Sequence, residues 1–253
     1  MKFSANLGFL WTDRPLPDAI RAAKAAGFDA VECHWPYDVP VAEVQAALAE
    51  TGLPMLGLNT RRGDVVGGEN GLSALPGRGD EARAAVDEAV AYALAIGARN
   101  IHVMAGVADG EAARAAFIET LQYATAQVAE TEITILVEPL NRHDAPGYFL
   151  KTTDQAVEII RAVGASNLKL MFDCYHVQRT EGDVGHRLER LLPWIGHVQF
   201  ASVPDRGPPE RGELNYAHVF GVLKALGYDA PLGAEYKSAL PTDQTLGWME
   251  TLS

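Results

Sequence analysis

Short runs of apolar residues alternate with longer amphipathic, alanine-rich stretches along the whole chain. The short runs predict strands over Phe3–Asn6, Ala30–Cys33, Met55–Asn59, Asn100–Met104, Ile133–Glu138, Leu168–Asp173, His197–Ala201 and Leu232–Tyr236. Most are continuously apolar rather than alternating, as strands of a parallel sheet buried on both faces require. The longer stretches predict helices over Leu16–Ala26, Val41–Thr51, Asp80–Ile96, Glu111–Glu130, Thr152–Val163, Asp183–Leu192 and Tyr216–Leu226. Several end at a glycine, among them Gly52, Gly97 and Gly164, as expected where the chain must turn left-handed after a helix.

Eight strands, each followed by a helix or a helical remnant, predict an α/β fold: a (β/α)8 TIM barrel. An open doubly wound sheet is the competing arrangement. Against it, no G-x-G-x-x-G follows the first strand and no G-x-x-x-x-G-K-[ST] occurs. No linker, low-complexity segment or charge block interrupts the pattern, so residues 1–253 read as a single barrel domain. The segment Arg61–Gly79 carries six glycines and separates the third strand from its helix. It is expected to lie over the catalytic end of the barrel as a lid or binding wall.

Composition narrows the partners. The chain is 48% hydrophobic and 21% charged, which supplies a core and excludes a disordered polymer. With 21 Lys+Arg against 33 Asp+Glu, the net charge is −12, and no basic patch offers itself to nucleic acid. No apolar run approaches the roughly 20 residues that span a bilayer, and Met1-Lys2-Phe3-Ser4-Ala5-Asn6 lacks a secretory h-region. The expected location is cytoplasmic. Cys33 and Cys174 form no CxxC or zinc pattern and read as reduced thiols in or near the core. The alanine-rich exterior is compatible with a homo-oligomer, although no interface is identified.

The candidate chemistry lies where the apolar runs stop. Ile133–Val137 ends in Glu138, Leu168–Phe172 in Asp173, His197-Val198 leads into Gln199, and Leu232–Ala234 into Glu235. The intervals of 35, 26 and 36 residues each match about one β/α unit. Four oxygen-bearing side chains therefore sit at the C-terminal ends of consecutive strands, the face where barrels place active sites. Three converging carboxylates repel unless protonated or bound to a cation. A divalent ion such as Mg²⁺ or Mn²⁺ is one solution. A metal-free site whose carboxyls have raised pKa values and work as acid and base is the other. Separate capping or salt bridging of each residue is the third, uneventful possibility.

His176, three residues after Asp173, is placed to turn its imidazole to the same site from the loop leaving that strand. Arg206, in the loop after Gln199, suits a substrate carboxylate held bidentately, or solvent. His102 reads as a core residue with a hydrogen-bond partner, and Trp11, Trp35, Trp194 and Trp248 as packing elements. Arg61 and Arg62 read as exposed charge or as a further anion contact.

Taken in order, these pieces resemble the hydroxypyruvate isomerase family, which includes the 2-oxo-tetronate isomerases, within the xylose-isomerase-like TIM barrels. The resemblance is carried by Asn6-Leu7, Gly27–Glu32, Gly71–Arg78, His102–Gly106, Val137–Asn141, Phe172–His176, His197–Gln199 and Gly212–Tyr216. It implies an aldose–ketose-type isomerase interconverting hydroxypyruvate and tartronate semialdehyde, or a 2-oxo-tetronate and its 3-oxo isomer. By the same resemblance Glu138, Asp173, Gln199 and Glu235 match metal-ligand positions, with Glu138 and Glu235 also the proton-exchanging catalytic pair. His176 and Arg206 match substrate-binding positions. The chain departs from the family where it has Ser202 and Gly207 in place of Asp and His, and in Asn59–Asp64 after the third strand.

Ketose 3-epimerases and sugar-acid dehydratases share this barrel and are the rival enzymes. Apurinic endonucleases of related fold need a histidine-rich multi-metal centre and a basic face, neither of which the sequence offers. A non-catalytic sugar-acid binding protein is the rival of another class, and it has no use for a pair of proton-transfer groups.

Overall fold

A computed structural model describes Met1–Leu252. Its strands are β1 Phe3–Asn6, β2 Ala30–Glu32, β3 Gly57–Asn59, β4 Asn100–His102, β5 Thr134–Val137, β6 Leu168–Asp173, β7 Ile195–Phe200 and β8 Leu232–Ala234. The helices are α1 Leu16–Ala25, α2 Val41–Thr51, α3 Gly79–Ile96, α4 Gly110–Gln127, α5 Thr153–Val163, α6 Cys174–Thr180, α7 Val184–Leu191, α8 Tyr216–Ala225 and α9 Trp248–Leu252. All strand pairs are parallel, in the order β2-β1-β8-β7-β6-β5-β4-β3. A parallel bridge between Val31 and Met55, with Leu56 N–H donating to the Val31 carbonyl at 2.7 Å, joins β2 to the chain entering β3. The sheet thus closes into the expected barrel.

Continuous apolar runs became strands because both of their faces are covered. Val31, Ile101, Ile135, Val137, Leu170, Phe172, Val198 and Phe200 are fully buried, each such side chain contributing about 1.5–3 kcal/mol. Gly52, at φ 68, and Gly97, at φ 70, end α2 and α3 in the left-handed conformation that only glycine adopts cheaply.

Two helices were not anticipated from the sequence. The segment after β6, expected as a loop, is α6: the Asp173 carboxylate accepts from Tyr175 N–H at 2.9 Å and caps it. Helix α9, too short to show a period, docks through Trp248, whose ring meets Phe3 of β1 at 4.9 Å and Phe200 of β7 at 5.3 Å. Strand register sets the level of the site. Asp173 pairs with Gln199, and Gln199 with Gly233, so the polar ends of β6, β7 and β8 share one tier.

Candidate active site

Glu138 follows the last residue of β5, Asp173 ends β6, Gln199 is the penultimate residue of β7, and Glu235 follows β8. All four are buried. A cavity of about 180 Å³ opens over them, lined by Glu138, His176, Arg206 and Glu235 together with Phe9, His34, Trp35, His102 and Lys237. The adjoining cavity beside Leu140 and Tyr148 is larger, about 270 Å³, but holds no carboxylate. The smaller one is therefore the candidate for the chemistry.

Asp173 and Gln199 do not line that cavity. Asp173 lies behind His176 and Arg206, with its carboxylate 3.6 Å from His176 Nε2 and 3.4 Å from Arg206 Nη2. Gln199 lies deeper, against a small internal cavity shared with Asn6, Glu32, His102 and His197. Its Nε2 donates to Glu32 at 3.3 Å, while its Oε1 is buried without a partner.

Helix α6 places His176 a single turn past Asp173, so the imidazole folds back over the carboxylates. The Asn141 backbone N–H donates to Nδ1 at 3.0 Å, which leaves the ring hydrogen on Nε2, facing Asp173 and Glu138. Glu138, Asp173 and His176 have ligand atoms within 4.8 Å of one another, but this tautomer makes His176 a donor rather than a metal ligand.

Arg206 is not the free guanidinium the sequence suggested. It sits at φ 54, in a tight turn where Gly207 N–H donates to Ser202 Oγ at 2.9 Å. The turn sends the side chain inward between the rings of Phe9 and Tyr175, 4.8 and 4.9 Å from their centroids. Its Nη2 donates to Glu235 Oε2 at 2.6 Å. Arg206 is the cation that holds Asp173 and Glu235 together.

The electrostatics separate the carboxylates. Burial, reinforced by the charges of Glu235 and Asp173, pushes the Glu138 carboxyl well above the usual range. Burial drives Asp173 up to about 8 against the pull of Arg206. Burial also works against ionised Glu235, yet Arg206 and the His34 hydrogen bond outweigh it and hold this carboxyl well below the usual range. Burial keeps His102 and His176 neutral, each lowered to about 3.

Several residues of the site escaped sequence reasoning. Asn6 Nδ2 donates to Glu235 Oε1 at 3.1 Å, and His34 Nε2 meets the same oxygen at 3.0 Å. A side chain at Gly8 would collide with the His34 ring. His102 is buried as expected, but neither ring nitrogen has a partner, and its Nδ1 lies 3.6 Å from Glu138 Oε2. Trp35 lines the cavity instead of packing in the core and is braced by the Arg62 guanidinium at 3.8 Å, whereas Arg61 is spent on Glu88. Three histidines thus surround the pocket, a richer set than the sequence disclosed. Lys237 adds an ammonium with no ion-pair partner among the described residues. Glu32 ends its apolar run as the chosen carboxylates end theirs, so the same strand-end rule would have found it.

A family model for the xylose isomerase-like TIM barrel matches residues 20–252. The chain is 44% identical over 253 residues to the 2-oxo-tetronate isomerase of Cupriavidus necator, covering 98% of this chain and 97% of that protein. It is 36% identical over 254 residues to the hydroxypyruvate isomerase of Escherichia coli, covering 99% of this chain and 98% of that protein. A crystal structure described as an AP endonuclease, family 2, from Brucella melitensis superposes with a TM-score of 0.95 at 38% identity, covering 99% and 98% of the two chains. The E. coli 3-keto-D-glucoside 4-epimerase superposes at 0.81 with 22% identity over 98% of each chain, a likeness of fold alone.

Proposed function

Because the chain belongs to the xylose isomerase-like TIM barrel family, we propose that it is an isomerase of small hydroxy-keto acids, moving a carbonyl to the neighbouring carbon through an enediol(ate). The relatives named 2-oxo-tetronate isomerase and hydroxypyruvate isomerase support the reaction class. One observation carries the mechanism: two buried carboxylates, Glu138 and Glu235, border one cavity, and their surroundings drive their acidities in opposite directions.

The reaction needs two proton transfers at carbon, matched by two at oxygen, and no external redox partner. A carboxylate removes the C–H proton beside the carbonyl, the electron pair forms the enediol double bond, and the carbonyl oxygen takes up a proton. A proton is then returned to the former carbonyl carbon while the neighbouring hydroxyl gives up its own and becomes the new carbonyl. Glu138 and Glu235 serve as the two proton-exchanging groups. The reverse direction uses them in the opposite order. His176 donates through Nε2 to a substrate oxygen, and Arg206 with Lys237 supplies positive charge for the carboxylate. Trp35, Phe9 and the neutral His102 wall the cavity and limit water.

A divalent cation fits the donor set. Glu138 Oε1 and Gln199 Oε1 are buried acceptors without donors, beside Asp173 and Glu235, which pair with Arg206. Glu138, Asp173, Gln199 and Glu235 would hold Mg²⁺ or Mn²⁺, hard ions that favour oxygen ligands. When bound, such an ion supplies electrostatic stabilisation of enediolate charge.

An epimerase would return the proton to the carbon it left, and a dehydratase would expel water; the relatives at 44% and 36% identity are named as neither, and the epimerase compared above is alike in fold alone. Net charge −12 argues against a phosphate-backbone substrate. The buried free thiols Cys33 and Cys174 suit a reducing, cytoplasmic setting. The test is proton NMR of the purified protein in D₂O with hydroxypyruvate and, separately, a 2-oxo-tetronate, with Mn²⁺ and again with chelator. The aldehyde or 3-oxo isomer carrying solvent deuterium is expected from at least one acid, with turnover falling on chelation. Inertness of the metal-loaded protein toward both acids would overturn the reading.

A further inference from the structure

Below the catalytic tier lies a buried carboxylate for which the reaction has no use. Glu32, at the end of β2, is 4% exposed and reaches across the barrel interior. Its Oε1 accepts from Ser4 Oγ of β1 at 3.4 Å, and its Oε2 meets His197 Nε2 of β7 at 2.8 Å and accepts from Gln199 Nε2 at 3.3 Å. The space for this carboxylate is provided by β8: a Cβ on Gly233 would collide with Glu32 Oε1 and come within 2.7 Å of Gln199 Cγ and 3.0 Å of His197 Nε2. Four strands therefore cooperate to place one carboxylate against one amide.

We propose that Glu32 is a positioning residue that fixes which end of the Gln199 amide faces the candidate cation site. A primary amide presents a donor at one end and an acceptor at the other, and the two differ little in size. Only the oxygen can ligate a cation. Glu32 Oε2 accepts from the Nε2 end of the amide, which leaves Oε1 turned the other way. Oε1 is the atom that is buried without a partner. His197 and Ser4 hold Glu32 from the other side, so the carboxylate cannot swing away. The chemistry parallels the outer partners that orient metal-bound histidines, whose removal costs about 10–100-fold in metal affinity.

This inference rests on Gln199 being a ligand, and the experiment separates the two claims. Mn²⁺ binding to the metal-stripped full-length protein is measured by EPR of the free ion, alongside circular dichroism and the thermal midpoint. Glu32→Gln replaces the one-way acceptor by an amide that satisfies either orientation of Gln199. It is expected to weaken Mn²⁺ about 10–100-fold with the fold intact. Glu32→Asp, which keeps the charge but withdraws it from Gln199, is expected to weaken binding in the same direction and serves if Glu32→Gln does not fold. A carboxylate at position 199 has no wrong end. Adding Glu32→Gln to Gln199→Glu is therefore expected to cause no further loss.

Unchanged Mn²⁺ affinity in Gln199→Ala overturns the ligand assignment and this inference with it. A loss in Gln199→Ala combined with an affinity within about twofold of wild type in both Glu32 variants overturns the positioning role alone. An equal loss from Glu32→Gln in the Gln199→Glu background also overturns it, because Glu32 would then support the site without regard to amide orientation.

Discussion

Two buried polar tiers are stacked inside this barrel, and they differ in how far their hydrogen bonds are satisfied. In the lower tier both oxygens of Glu32 have partners, drawn from Ser4, His197 and Gln199. In the upper tier Glu138 Oε1, Gln199 Oε1 and both nitrogens of His102 have none, and two carboxylates, Asp173 and Glu235, share one arginine. Burying polar groups without partners costs about 1–3 kcal/mol each, so a fold retains them only where something else is gained. The lower tier is scaffold. The upper tier keeps its acceptors open, and it is where the proposed reaction is placed.

The sharpest way to break this distinction is to neutralise the upper tier. Glu138→Gln and Glu235→Gln are each expected to fold normally by circular dichroism while turnover falls about 10²-fold or more. Turnover near wild type in either one removes that residue from the proton transfers.

The next effect is on stability. Arg206→Met leaves Asp173 and Glu235 buried without their cation, and breaking a buried ion pair from one side costs about 3–5 kcal/mol. Denaturant unfolding of the metal-free protein should show a loss of this order, and Mn²⁺ should restore more stability to the variant than to wild type. Equal gains from Mn²⁺ in both proteins would mean that arginine and ion do not share those carboxylates.

A smaller effect depends on pH. His102 is held neutral by burial, with its folded value lowered from 6.5 to about 3. Below pH 6.5 the unfolded chain takes up a proton that the folded His102 refuses, so its contribution to stability is present above 6.5 and is lost as pH falls. Glutamine cannot take up that proton. The stability of His102→Gln relative to wild type should therefore rise by up to about 1.4 kcal/mol per pH unit between 6.5 and about 3. Parallel stability–pH curves for the two proteins would show that His102 is protonated in the fold.

The barrel was legible in the sequence because strands buried on both faces must be continuously apolar, and the residues that stop such runs mark the rim of the candidate site. That logic located Glu138, Asp173, Gln199 and Glu235, and it applied equally to Glu32. It did not reveal the residues that act on them from afar. Asn6 and His34 touch Glu235 across 229 and 201 positions, contacts that exist only once β1 and β2 close against β8. Arg206 was visible as a charge in a loop, but its inward turn depends on Ser202, Gly207 and the two rings that clasp it. The imidazole of His176 was expected from a loop, and the Asp173 cap makes that loop a helix.

In the proposed reaction Glu138 and Glu235 have separate proton-transfer roles on one enediol. Wash-out of the substrate C–H proton into D₂O, followed by proton NMR in Glu138→Gln and Glu235→Gln, tests it most directly. The variant that keeps the first base should exchange the proton beside the carbonyl while making no product, and the other variant should do neither. Product at the wild-type rate in either variant, or loss of exchange in both, would mean that the two transfers are not divided between these residues.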